Sequence, residues 1–226
     1  MILPAITNAK QLDELVEELG FLPFFTNEIP GFSVEECCSR EYWFTDIPGP
    51  WEWKSEIAEK KHTAYGKFFG KKAGYIAHRF IPHFCNYRRD GYDFDALYDD
   101  GKATRKSKDI IDLIEKKGAL LSKEIKKELG YKKGGNTGFD TVITALQMQA
   151  YVAPISYEHN KDKDGKEYGW GVARYDTFER IFGADFVTSE YDTDPQESRS
   201  ILVNNLIKIA GPLTEKQINK LIGKKG

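Results

Sequence analysis

Between residues 60 and 89 the chain carries eight bases and no acid: Lys60, Lys61, Lys67, Lys71, Lys72, Arg79, Arg88 and Arg89, with three histidines able to add charge. Tyr65, Phe68, Phe69, Tyr75, Phe80, Phe84 and Tyr87 interleave with them. Phosphate needs cations and a displaced base needs a flat apolar face, so the mixture suits nucleic acid better than a plain basic run does. Lys67, Lys71, Lys72, Arg79, Arg88 and Arg89 are the candidate phosphate contacts. The bland alternative is that these charges are solvated faces of ordinary elements.

Other residues could do different chemistry. Glu28, Glu52 and Glu56 are candidate general bases, competing with the reading of surface carboxylates on short helices. His78, His83 and Cys85 with a distant Cys37 or Cys38 contain zinc-ligand types, but no paired-ligand spacing, so no metal is expected. The five aspartates of DGYDFDALYDDG lack an EF-hand order and read as a solvated turn. Nothing in the sequence calls for a cofactor. Trp43, Phe44, Trp51 and Trp53 gather around a Pro-Gly-Pro turn, as core or interdomain contact or as a stacking platform.

The elements that must position these groups centre on residues 107–180, which read as a winged helix-turn-helix. Ser107 is placed to cap a helix with Ile110, Leu113 and Ile114 on one face, and Ser122 to cap a second with Ile125 and Leu129. Thr137 and Asp140 are spaced as a capping box for a third, in the recognition slot, with Phe139, Val142, Ile143 and Leu146 inward. On that helix Thr141, Thr144 and Gln147 are the candidate base contacts, and it holds no lysine or arginine. Two alternating runs follow, with Tyr151, Ala153, Ile155 and Tyr157 on one face and Tyr168, Trp170 and Val172 on the other strand's face. Between them Asp164-Gly165 suits a tight turn, and Lys161, Lys163 and Lys166 become wing-tip contacts nearly cancelled by Asp162, Asp164 and Glu167.

Upstream, Asn8 caps a helix carrying Leu12, Leu15, Val16 and Leu19, and the phenylalanine-rich FLPFFTNEIPGF reads as a packed loop before a capping box at Ser33 and Glu36. Downstream, an acid-rich connection leads to a helix started by Pro195. There the chain repeats itself: Leu113–Gly130 aligns without gaps with Leu206–Gly223, an offset of 206 − 113 = 93. Leu113/Leu206, Ile114/Ile207, Gly118/Gly211, Leu120/Leu213, Lys123/Lys216, Ile125/Ile218, Lys127/Lys220 and Gly130/Gly223 are identical, as in the opening half of a second helix-turn-helix. The expected fold is α+β and mostly helical. Its divisions are a helical and basic-aromatic region over 1–105, a winged helix-turn-helix over 106–182, and an acidic connection with a helix pair over 183–226.

The net charge of −2 conceals segregation, since residues 1–59 hold 12 acids against 3 bases and residues 102–133 hold 11 bases against 5 acids. Such a footprint matters more than the total. No apolar run approaches the roughly 20 residues of a membrane span, and MILPAITNAK lacks the order of a signal peptide. Three cysteines, two of them adjacent, form no disulfide framework. A cytoplasmic protein with no membrane partner is the expectation.

GPWEWK, AYGKFFGKKAGYI, NYRRDGYDFDALYDDG, ITALQMQAYV and YGWGVARY resemble stretches of the AlkZ-related proteins, outlying members of the AlkZ/YcaQ superfamily of winged-helix DNA glycosylases. The resemblance spans most of residues 20–190 and implies tandem winged-helix units and a DNA partner. It implies a catalytic Gln-x-Gln or Gln-x-Asp just past a Leu-Gly pair, yet here Leu19-Gly20 is followed by FLPFF, with Pro23 and Phe25 in place of a polar pair. The Gln-x-Gln of Gln147-Met148-Gln149 stands elsewhere, at a helix end. The expected function is therefore DNA binding without the usual catalytic motif. Two alternatives stand beside it: an active glycosylase with relocated catalytic groups, and a winged-helix module for a protein partner.

Overall fold

In the computed structural model, which describes residues 3–223 and within them every side chain but those of Glu167 and Trp170, the chain is α+β with two small antiparallel sheets. Asn8 caps α1 (Ala9–Leu19) by accepting the Gln11 N–H at 2.9 Å, and the helix buries the expected Leu12, Leu15, Val16 and Leu19. The phenylalanine-rich segment then departs from expectation. It opens as a strand, β1 (Phe21–Pro23), and only afterwards becomes the loop leading to α2 (Val34–Cys37), where Ser33 caps by accepting the Glu36 N–H at 3.2 Å but the Glu36 carboxylate takes the Gly31 N–H and the Ser33 hydroxyl, so the capping box is only half formed. After α3 (Pro50–Glu59) come β2 (Ala64–Phe69) and β3 (Lys72–Ile76), and the sheet order is β1-β3-β2. Pro23 fits because β1 is an edge strand, where a missing N–H costs the ladder little.

The β2–β3 connection is a two-residue turn, Gly70-Lys71, with φ of +56° and +67° closing the Phe69–Lys72 pair. Two consecutive positive φ angles are what a tight hairpin of this twist requires. Next follow α4 (Ile81–Arg89), α5 (Phe94–Asp99) and α6 (Arg105–Lys117). Thr104 caps α6, its hydroxyl accepting the Ser107 N–H at 3.2 Å, so the helix starts earlier than a Ser107 cap would have set it. A short β4 (Leu120–Leu121) leads into α7 (Ser122–Glu128). Ser122 is the first helical residue there, and the Glu124 carboxylate takes the Leu121 N–H at 2.7 Å.

Gly138, at φ +82°, precedes α8 (Phe139–Met148), and Thr137 does not cap it: its carbonyl accepts the Lys106 ammonium at 2.8 Å. Phe139, Ile143 and Leu146 are buried as read, with Val142 half-buried. Then β5 (Val152–Lys161) and β6 (Glu167–Thr177) form the long hairpin, and β4 completes a sheet of order β4-β6-β5. The side chain of Trp170, expected beside Tyr168 and Val172, lies outside the described residues. Ile110, Ile111, Ile114, Ile125, Phe139, Ile143, Leu146, Tyr151 and Val152 share one core with Phe94 and Leu97, while the rest of the chain builds a larger one around Phe21, Phe68, Phe69 and Phe84.

After α9 (Phe178–Phe182) and α10 (Ala184–Val187), α11 (Pro195–Ala210) and α12 (Glu215–Ile222) form the second helix pair. Its backbone copies the first: Gly118 has φ +85°, ψ −167° and Gly211 φ +79°, ψ −165°. The cap is copied too, with the Thr214 N–H on Gln217 Oε1 at 2.9 Å where Leu121 meets Glu124. The packing is not. Ile114 is fully buried while its counterpart Ile207 is 38% exposed, and Leu206 is fully buried while Leu113 is half-buried, because α11 docks on α4 instead of on a third helix of its own. Among the described residues no helix is long and apolar enough to cross a membrane.

Candidate nucleic-acid interface

Strand β2 is an edge, so its outward N–H groups need partners. Helix α8 supplies one: the Lys67 N–H donates to Gln147 Oε1 at 3.0 Å, and the Lys67 ammonium reaches Thr144 Oγ1 at 3.4 Å. The turn docks on the same helix, with the Lys71 N–H 3.3 Å from Met148 Sδ. A groove of about 440 Å³ opens between them, and Lys67, Lys71, Thr141, Thr144 and Gln149 line it. Asp140, the one acid in that lining, is 3.4 Å from the Lys126 ammonium. The sequence candidates Lys67, Lys71, Thr141 and Thr144 thus meet in one place, although some 70 residues separate the two groups.

Gln147 does not join them. It is 1% exposed, and its amide is spent on Lys67 and on the Ile143 carbonyl at 3.2 Å, so it cannot reach a base edge. Arg88 and Arg89 are likewise corrected. Both guanidinium groups are buried at the end of α4, where Arg88 donates to the carbonyls of Met148 at 3.1 Å, Phe68 at 2.7 Å and Leu221 at 3.5 Å. Burial pushes the Arg88 pKa down to about 10, which still leaves it charged at neutral pH. Arg89 pairs with Glu179 and donates to the Tyr191 hydroxyl at 3.0 Å. Residue type alone cannot separate an arginine that meets phosphate from one that caps carbonyls in a core. Arg79 is exposed but bound to the Glu17 and Glu18 carbonyls at the end of α1.

Lys72 turns to a second and larger concavity, about 610 Å³, across the Gly70-Lys71 turn from the groove. Pro23, Phe25, Phe69 and Leu221 give it an apolar lining, and Lys72, Lys216 and Lys220 its basic one. Lys216 and Lys220 lie one turn apart on one face of α12 and were missed in the sequence, although the repeat aligns them with Lys123 and Lys127. Among the described residues no carboxylate forms an ion pair with Lys67, Lys71, Lys72 or Lys216, whereas Lys220 pairs with Glu28. Five lysines from β2, the turn, the start of β3 and α12 therefore border two adjoining hollows. Lys163 and Lys166 stand exposed at the tip of the long hairpin with Lys161 beside them at the end of β5, and none of the three lines either hollow.

Of the candidate bases, Glu28 lines the larger hollow, and its hydrogen bond to Lys220 holds its pKa below the ordinary carboxylate value. A weaker base results. Glu52 accepts the Gly49 N–H at 2.8 Å to cap α3, and Glu56 faces Lys60 at 3.6 Å. His78, His83 and Cys85 do not converge. His78 stacks between His62 and Phe186, His83 faces Ser198, and Cys85 is enclosed in the core.

A family model described as AlkZ related matches residues 6–223, nearly the whole described chain. The chain belongs to the AlkZ-related family. No curated protein and no solved structure matches it. The match takes in β1, both sheets and the second helix pair, so Pro23, Phe25, Lys216 and Lys220 are all positions of the AlkZ-related chain proper.

Proposed function

We propose that this AlkZ-related protein binds duplex DNA, setting the phosphate backbone against Lys67, Lys71, Lys72, Lys216 and Lys220 and the exposed end of α8 at Thr141. The observation that carries the reading is the line of exposed lysines, four of them without an acid partner among the described residues, along two adjoining hollows, the larger of which has Phe25 and Phe69 in its lining. Cations of that kind exchange counterions for phosphate, while buried Arg88 and Arg89 set the geometry from behind. We further assign residues 106–182 as a winged helix-turn-helix, supported by the order α6-β4-α7-α8-β5-β6, the separate core and the β4-β6-β5 sheet. On this division 1–105 forms the basic-aromatic body, with 183–226 packed against it.

Base excision is not part of the proposal. The resemblance to glycosylases places a polar pair where Pro23 and Phe25 line the larger hollow, and apolar side chains neither orient water nor stabilise charge on a sugar. A titration of a duplex at two salt concentrations tests binding. Each phosphate neutralised lowers log K by about 0.9 per log unit of salt, so three contacts give a slope of about −2.7. The Lys67→Glu, Lys71→Glu, Lys72→Glu variant should flatten it. Salt-insensitive binding that the triple variant leaves intact refutes the proposal.

A further inference from the structure

A third concavity, of about 430 Å³, has the opposite electrostatic character. It shares Phe25 with the basic hollow, but its walls are Trp43, Phe44 and Trp51 and its rim carries Glu35 and Glu36, with Arg40 the one base in the lining. The rings are contiguous: Trp43 meets Trp51 edge-on at 6.0 Å, and Phe44 lies 6.0 Å from Trp51 and 6.4 Å from Trp43. Phe44 is 75% exposed and Ile47, three residues on, 51% exposed, which makes this loop the most outward-facing apolar stretch on the described surface. Phe44 also holds a φ of +57°, a left-handed conformation that bulky residues avoid.

The surroundings say what such a wall would meet. From Thr26 to Glu59 there are eight acids and two bases, Arg40 and Lys54. Of those bases, Lys54 is not part of the lining: its ammonium lies 4.7 Å from the Trp51 ring centre and 4.5 Å from that of Tyr157, outside the concavity. Glu35 uses one carboxylate oxygen to hold Thr26, and neither Glu35 nor Glu36 forms an ion pair with a base among the described residues. The enclosed Trp43 indole N–H has no acceptor among the described residues. A backbone of phosphates would be repelled here.

We propose that this concavity binds a short extended segment of a protein partner that presents a lysine or arginine beside an apolar residue. The cation packs on the indole faces within reach of Glu35 and Glu36, and the apolar neighbour lies on Phe44 and Ile47. The surface is distinct from the lysine line, so the protein would hold DNA on one side of Phe25 and a basic segment on the other.

The test titrates the full chain with capped pentapeptides in which leucines flank a central arginine, lysine, glutamine or glutamate, following the indole N–H signals of its four tryptophans. The arginine and lysine peptides should bind saturably, shift Trp43 and Trp51, and leave the buried Trp53 unmoved. Phe44→Ala should weaken them by about tenfold and Glu35→Gln by about threefold, with duplex affinity unchanged in both. Phe44 is exposed enough for its replacement to leave the fold intact, which a melting curve verifies. Equal binding of the glutamate peptide reduces the wall to an indiscriminate apolar patch and overturns the proposal. So does the absence of binding by the basic peptides, or a loss of duplex affinity in Phe44→Ala.

Discussion

Lys71 occupies a left-handed backbone position, φ +67°, that glycine takes without strain and other residues take at roughly 1 kcal/mol or more. It lines the groove on α8. Lys71→Gly should therefore keep or raise the urea midpoint while weakening duplex binding severalfold, and a variant that loses both would make the lysine structural. His78 offers a pH test. Burial, and then the neighbouring His62, lower its pKa, so the unfolded chain takes up a proton first as pH falls. The stability that neutral His78 contributes is whole above the unfolded value near 6.5 and is lost as pH falls towards the folded one. Melting temperatures measured from pH 7.5 to 5 should fall for the native chain and fall less for His78→Phe. At this scale the sequence was half legible. Lys67, Lys71 and Lys72 stood out by charge and are exposed, while Arg88 and Arg89 carry the same charge and are buried, a difference set by carbonyls from distant segments.

The long β5–β6 hairpin presents Lys163 and Lys166 at a tip whose Asp162 and Asp164 offset them, and Asp162 is itself committed to the Asp164 and Lys166 N–H groups. Replacing Lys161, Lys163 and Lys166 by alanine should cost less than about tenfold in duplex affinity, or 1.4 kcal/mol, by the same titration. A larger loss would make the hairpin the main contact. Helices α1, α6, α7, α8 and α11 were readable because each shows one apolar face at helical spacing and a nearby stop. Their starts were less so: Thr104 and Ser107 are both competent caps, and only the packed chain chooses between them. Strands β1, β2 and β3 were hidden for another reason. They are buried on both faces, which removes the alternation that betrays a strand, and their turn is Gly-Lys instead of Asn-Gly or Asp-Gly.

Across the whole molecule the second helix pair is part of the body: Leu202, Leu206, Ile218, Leu221 and Ile222 belong to the larger core, and Asn86 donates to Ser198 Oγ at 3.0 Å. The sequence repeat predicted the pair's backbone but not its docking, since identical residues such as Ile114 and Ile207 end in different surroundings. Incubating the purified protein with alkylated or crosslinked duplexes should yield complexes without released base; robust release abolished by Glu28→Gln would put catalysis in the larger hollow. Arg88 has a consequence at this scale. One guanidinium joins carbonyls from β2, α8 and α12, the elements that carry or flank the five lysines. The backbone from which those cations project is thus held by a buried clasp, while the lysine stems themselves stay free to turn. On the proposed reading, a face built on such a held backbone leaves the duplex to supply the flexing that a close fit needs. Selection then operates on stiffness: a nicked or gapped duplex should bind more tightly than an intact one of the same sequence, with no base edge touched.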